Sequence, residues 1–208
     1  MDGSNKMKPK FWINPNTRIN FPFFSIEWHK FSQSELLPYC KLGVDKETYC
    51  KNNNCVHVVQ SENGNTLHIL YSDNTKFENI LLQKWLRMSI KDAVIYRAEQ
   101  VLPKRLHELE LRHQLYAKSV RVEPLRKGVL GQCSHDNHIW LSPIIVIFPK
   151  ELMDNTILHE MAHLKFHHHR KSFWQFLSSL LGTDAKEQHN IQNLALNKYW
   201  ELYVFLMK

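Results

Sequence analysis

Glycine is scarce in this chain, with six residues in 208, beside eight prolines and only four cysteines. With 43% hydrophobic and 23% charged residues, and no internal repeat or long low-complexity tract, this is the composition of a globular chain. No apolar run approaches the roughly 20 residues needed to span a bilayer, so no membrane partner is expected. The opening segment MDGSNKMKPKF has no apolar core and no cleavage signal, which makes the cytoplasm the default location. The few cysteines fit a reducing compartment. Cys40, Cys50 and Cys55 lie in a polar stretch, where a second, structural zinc with His57 would lack C-x-x-C spacing. Unpaired thiols are therefore the expectation. The formal charge of +7 leaves room for an anionic partner, nucleotide or nucleic acid, although so diluted a charge serves equally well as solvated surface. No feature of the sequence specifies an oligomeric state.

The length suits one domain, or one with an appendage, and the pattern changes near residue 74. Residues 1–73 read as a β-rich region. Val56–Gln60 and Thr66–Tyr71 flank Asn63-Gly64, a hairpin signal, and Lys51–Asn54 reads as a solvated loop. In residues 74–208, Thr75 and Glu78 form a capping box before Leu81, Leu82, Trp85, Leu86, Ile90, Ala93 and Val94 at helical spacing. Pro103 interrupts this stripe and is expected to begin a second helix reaching about Leu115, with His107 and His113 on its surface. Val120–Val122, Val129–Cys133 and Ile139–Leu141 read as three short strands, with His135–Asn137 as a turn. Near the end, Ser172 is a candidate cap for a helix closed by Gly182, and Thr183 for one reaching Phe205. The fold class is α+β, a small mixed or antiparallel sheet packed on a helix, with C-terminal helices.

The chemistry concentrates in Ile157–Trp174, ILHEMAHLKFHHHRKSFW. His159, Glu160 and His163 form H-E-x-x-H. On a helix, residues four apart share a face, so both imidazoles reach one metal ion, and Glu160 is placed to take a proton from a water on that metal. Leu158, Met161 and Ala162 lie on the opposite face, as a half-buried helix requires. Pro149 suits its first turn. A catalytic zinc usually takes three protein ligands, and His167, His168 and His169 are candidates for the third. Were the helix to continue, His167 would stand about 12 Å along the axis from His159, too far to share an ion. A break is therefore expected near Phe166, with His167 or His168 turning the chain at positive φ. His169 follows His159 by ten residues, the spacing of the third ligand in H-E-x-x-H-x-x-G-x-x-H enzymes. Glu187, on a later helix, is a weaker candidate ligand.

The run HEMAHLKFHHHRKSFW resembles the YgjP-like metallopeptidase family, a gluzincin-like group marked by HELAHL, four variable residues, His, then Phe-Trp four and five places on. His159, Glu160, His163, Leu164, His169, Phe173 and Trp174 fall in that register. His168 stands where the family has Asn or Asp, and Arg170 where it has Ser. Upstream, Leu102–Leu106, Arg121–Pro124, Gly131–Cys133, Ile139–Leu141 and Pro149 match further family segments, with Val129-Leu130 in place of Arg-Trp and Gln132 in place of Ser. The resemblance implies a zincin-like fold and a zinc hydrolase. One Zn2+ per chain would be held by His159, His163 and His169, Glu160 would act as general base, and a peptide or protein would be the substrate. Gly131 and Gln132, on the strand expected beside the metal, are candidate substrate contacts. His135, His138 and Arg170 are others, able to meet substrate or a developing oxyanion.

Two further classes stay open on the residues alone. The same metal site could hydrolyse a nucleotide phosphoanhydride, with Lys104, Arg105, Arg112, Lys118, Arg121, Arg126 and Lys127 holding phosphates. Alternatively, the altered Val129-Leu130 segment would suit a module that binds nucleic acid or a partner protein and keeps only a residual metal site.

Overall fold

The computed structural model describes residues 11–36, 43–44, 46–51 and 54–207. Strand β1 (Ser25–Phe31) leads through a single helical turn, α1 (Gln33–Leu36), to β2 (Gly43–Val44), β3 (Thr48–Lys51), β4 (Asn54–Gln60) and β5 (Thr66–Ser72). These strands form one sheet in the order β1-β5-β4-β3-β2, in which β1 runs parallel to β5 and the other pairs are antiparallel. Asn63-Gly64 turns β4 into β5, Gly64 at a φ of 69°. Inward side chains Ile26, Val56, Val58, Leu67 and Ile69 are buried and join one core with the stripe Leu82, Trp85, Leu86, Ile90 and Ala93. Alternation places Glu27, His29 and His68 on the other face of the sheet.

The stripe belongs to α2, a single helix from Ile80 to His113. Two expectations fail here. Asn79, not Thr75, caps it, accepting from the Leu81 and Leu82 N–H groups at 2.9 and 3.1 Å. Thr75 instead donates to the Cys55 carbonyl and accepts from the Ser72 N–H. Pro103 does not start a new helix but lies inside this one. A helix-interior proline costs about 3 kcal/mol, yet Val101, Leu102, Leu106 and Leu109 are buried around it, each contributing about 1.5–3 kcal/mol, so burial on both sides keeps the helix continuous.

Three strands follow, β6 (Ser119–Val122), β7 (Gly131–Cys133) and β8 (His138–Leu141), in the order β6-β8-β7. Strand β6 is parallel to β8 and β7 antiparallel to it, which leaves β7 as an outer strand. A buried 3-10 turn, Pro143–Ile147, delivers the chain to α3 (Lys150–His163). Helices α4 (Lys171–Leu181), α5 (Ala185–Lys198) and α6 (Trp200–Met207) complete an α+β fold of two small mixed sheets and C-terminal helices. Arg170 rather than Ser172 stands at the N-cap of α4, whereas Gly182 closes it at a φ of 71°. Asp184 rather than Thr183 caps α5, and the chain breaks at Tyr199, so no single helix reaches Phe205.

Cys50 and Cys55 are register partners across β3 and β4, with Cα atoms 4.3 Å apart, and are joined as a disulfide rather than left as free thiols. That pairing removes both from a second zinc site. Cys40 lies outside the described residues, and His57 bonds Thr48 through Nδ1 at 3.1 Å. Asn54, expected in a solvated loop, is buried, and its side chain accepts from the Lys76 N–H. Among the described residues, no helix is long and apolar enough to cross a membrane.

Candidate metal centre

Helix α3 is held from three sides. Its apolar face, with Met153, Ile157, Leu158, Met161 and Ala162, is buried in the core. Asp154 receives a two-pronged bond from Arg105 of α2, Nε at 2.7 Å and Nη2 at 2.8 Å. Gln192 of α5 donates to Thr156 Oγ1 at 2.9 Å. The opposite face carries His159 and His163, both half-buried.

The helix ends at His163, with Leu164 as its C-cap, two residues before the expected break. The turn needs no positive φ at His167 or His168; Gln114 and Asn137 are the non-glycine positions with positive φ among the described residues. Instead, Leu164, Lys165 and Phe166 donate to the Met161 and Ala162 carbonyls in a tightened last turn. This turn aims the Phe166 carbonyl back at His163, whose Nδ1–H donates to it at 2.8 Å. The tautomer is thereby set, and Nε2 of His163 presents its lone pair outward. The chain then brings His169 back, where Trp174 Nε1 donates to its carbonyl at 3.0 Å.

His159 Nε2 and His169 Nε2 come to 3.0 Å of each other. One ring nitrogen from each of His159, His163 and His169 lies within 4.8 Å of the others. Phe173, fully buried, is their common floor, with its ring centroid 5.0, 4.6 and 4.6 Å from the three imidazoles. Burial first, then the neighbouring His163, His169 and His189, depress the His159 pKa to about 3, and burial also lowers those of His163 and His169. All three rings are therefore disposed to be neutral, the state in which imidazole binds a metal. Three convergent nitrogen donors fit a borderline ion such as zinc.

Glu160 is 7% exposed, and burial raises its carboxyl pKa to about 8. It lies against Gly131 of β7 so closely that a Cβ there would stand 2.5 Å from its Cγ and 2.7 Å from its Oε1. Gly131 is thus the residue that lets the carboxylate lie flush on the strand. Cys133, on the same strand, is half-buried, and its thiol is raised to about 11, chiefly by burial and secondarily by Glu160.

The other expected site residues are scattered. Gln132 is exposed on β7. His135, just beyond it, lies 4.6 Å ring to ring from His167, so the strand end meets the turn after α3. His138 is instead engaged with Ser119 of β6, its Nδ1 2.7 Å from the hydroxyl, and faces Trp140. Arg170 is exposed beside His169, its backbone N–H bonded to His168 Nδ1. Glu187, exposed in the first turn of α5, is not in the cluster; two residues on, His189 stacks 6.2 Å from His159 and lies 5.6 Å from Trp174. On the α5 helix residues two apart point to different faces, so only one of Glu187 and His189 can turn toward α3, and which one depends on how α5 docks. Of the basic run, Arg105 is committed to Asp154 and Glu108.

No curated protein and no solved structure matches the chain. Residues 38–193 match the family described as YgjP-like, metallopeptidase domain, a span that includes the histidine cluster, Glu160 and β7. By that match over most of its length, the chain belongs to the YgjP-like metallopeptidase family, whose metal-dependent, peptidase-type hydrolysis is the activity it implies.

Proposed function

We propose that this chain is a zinc-dependent peptidase with a zincin-like centre, its H-E-x-x-H segment forming the catalytic turn of α3. The observation that carries the reading is the convergence of three imidazoles within 4.8 Å beside a buried carboxylate on the same helix. His159, His163 and His169 would hold the ion. Bound there, zinc supplies a Lewis acid that makes water nucleophilic near neutral pH. Glu160 would accept a proton at its carboxylate, and the burial that raises its pKa also shields it from bulk water. A cation beside Glu160 acts in the opposite direction to burial and favours the carboxylate form.

The outer edge of β7 suits a peptide substrate, because an extended chain can add there as a further strand and bring a carbonyl past Glu160. Gly131 and Gln132 would line that strand, with His135 at its end and Arg170 beside His169. His138, engaged with Ser119, is the weakest of the substrate candidates.

The test measures zinc by mass spectrometry on untagged protein, with peptide and nucleotide hydrolysis assayed on the same samples. Glu160→Gln should keep its metal and lose peptide hydrolysis; His169→Ala should bind this ion more weakly. Nucleotide turnover without peptide cleavage would replace the substrate class, and unchanged zinc content in His159→Ala/His163→Ala would remove the centre.

A further inference from the structure

A second group of metal-ligating atoms lies on the outer face of the first sheet, away from Glu160 and the three histidines of α3 and its turn. Glu27 and His29 are two apart on β1 and so share a face. The parallel register sets Glu27 opposite His68 of β5. Three atoms converge. His29 Nε2 lies 3.1 Å from His68 Nδ1, Glu27 Oε2 lies 3.3 Å from the same Nδ1, and the same carboxylate oxygen lies 3.7 Å from His29 Nε2.

These separations are a geometric statement about an ion. Four ligands held tetrahedrally at about 2.1 Å stand about 3.4 Å from one another. The three observed edges, 3.1, 3.3 and 3.7 Å, straddle that value. Spacing alone does not separate zinc from calcium, but donor type does, because two imidazoles are the wrong ligands for calcium or magnesium. A hydrogen bond accounts for the pairing of the two imidazoles, but it does not require a carboxylate oxygen to stand near both.

The geometry points to a second transition-metal site, a His29–His68–Glu27 centre of zinc type that clamps strand β1 to strand β5. Such a clamp has a structural logic. Strand β1 is the outer strand of the sheet and pairs with β5 in parallel, so no hairpin turn ties the two together. A metal bridging the pair supplies a local link and favours the folded state by mass action. The fourth position faces solvent, since Glu27 is more than half exposed. The carboxylate of this trio is itself one of its donors, which leaves none of the three to act as a base, so its role is cohesion rather than hydrolysis.

The experiment is a zinc titration of full-length, untagged, chelator-treated protein at micromolar concentration in excess magnesium, with metal per chain read by mass spectrometry and unfolding followed by circular dichroism. Wild type should bind two equivalents, His68→Gln one, and His159→Ala/His163→Ala one. Cobalt added to the last variant should give the visible absorption of a four-coordinate ion, and zinc should raise its melting temperature. Adding His68→Gln should abolish both signals. Should either variant fail to fold, His29→Gln in the wild-type background asks the same question through the loss of one equivalent. A stoichiometry unchanged by His68→Gln or His29→Gln, or zinc that binds the exposed group only above millimolar concentration, overturns the proposal.

Discussion

The two histidine groups differ less in their ligands than in what surrounds them. At α3 the three imidazoles sit on a buried phenylalanine, beside a carboxylate that is 7% exposed and is not itself among the converging donors. In the β1–β5 group the carboxylate of Glu27 is 56% exposed and is itself one of the donors. Hydrolysis needs both a site for a cation and a separate base held away from bulk water, where its pKa and orientation can be set. Only the α3 group has that second component. Donor geometry thus defines where an ion can sit, while burial of a neighbouring base defines where chemistry can follow.

The largest effect expected to sharpen this contrast is that of Glu160→Gln. It removes the base and leaves every imidazole, so peptide hydrolysis should fall by ~10²–10⁴-fold, the usual contribution of a positioned general base, with zinc content unchanged. Steady-state kinetics beside metal analysis would check it. Full activity in Glu160→Gln would break the comparison, because the buried carboxylate would then be no more useful than Glu27.

Arg105 tests whether the α3 centre depends on its scaffold. Its bidentate bond to Asp154 ties α2 to α3 five residues before the first ligand, His159. Arg105→Ala leaves a largely buried carboxylate with only the more exposed Lys150 Nζ at 3.3 Å and should cost about 1–3 kcal/mol, read from urea denaturation. The β1–β5 group, on the other sheet, should bind zinc as before. A loss at both groups would mean that they share one support.

Gly131→Ala acts on the base alone. The added methyl collides with Glu160 rather than with backbone, so the expected cost is about 1–3 kcal/mol in stability together with reduced hydrolysis. Glu160→Ala in the same chain should restore the stability and not the activity, a double-mutant cycle that isolates the contact.

What could be read in advance divides along the same line. His159, Glu160, His163 and His169 fall within eleven residues, where helical spacing and one turn relate them, so they could be named together from sequence. The continuity of α2 through Pro103 could not, because it depends on side chains buried against other elements on both sides. His189 was missed because its approach depends on how α5 docks on α3, anchored by Gln192 and Thr156. Glu27, His29 and His68 were invisible for a related reason. They lie on strands about forty residues apart, and a shift of one residue in the parallel register would send His68 to the opposite face. The disulfide likewise follows from the β3–β4 register, not from the spacing of the cysteines.

Cys133 gives the smallest effect and the most local one, because it reports the environment of Glu160 without touching the metal ligands. Its thiol is raised to about 11, first by burial and then by the Glu160 charge, so near pH 7.5 it is almost wholly protonated. In chelator-treated protein its alkylation by iodoacetamide, followed by peptide mass mapping, should run roughly 10²–10³-fold slower than that of a free thiol at neutral pH and rise about tenfold per pH unit, levelling off only near pH 11. Glu160→Gln removes the charge but not the burial, so the rate should rise only modestly and remain far below that of an exposed thiol. Alkylation at the free-thiol rate would show that water reaches β7 freely. The carboxylate beside it would then be as solvated as Glu27, and the distinction between a catalytic and a cohesive metal group would have lost its physical basis.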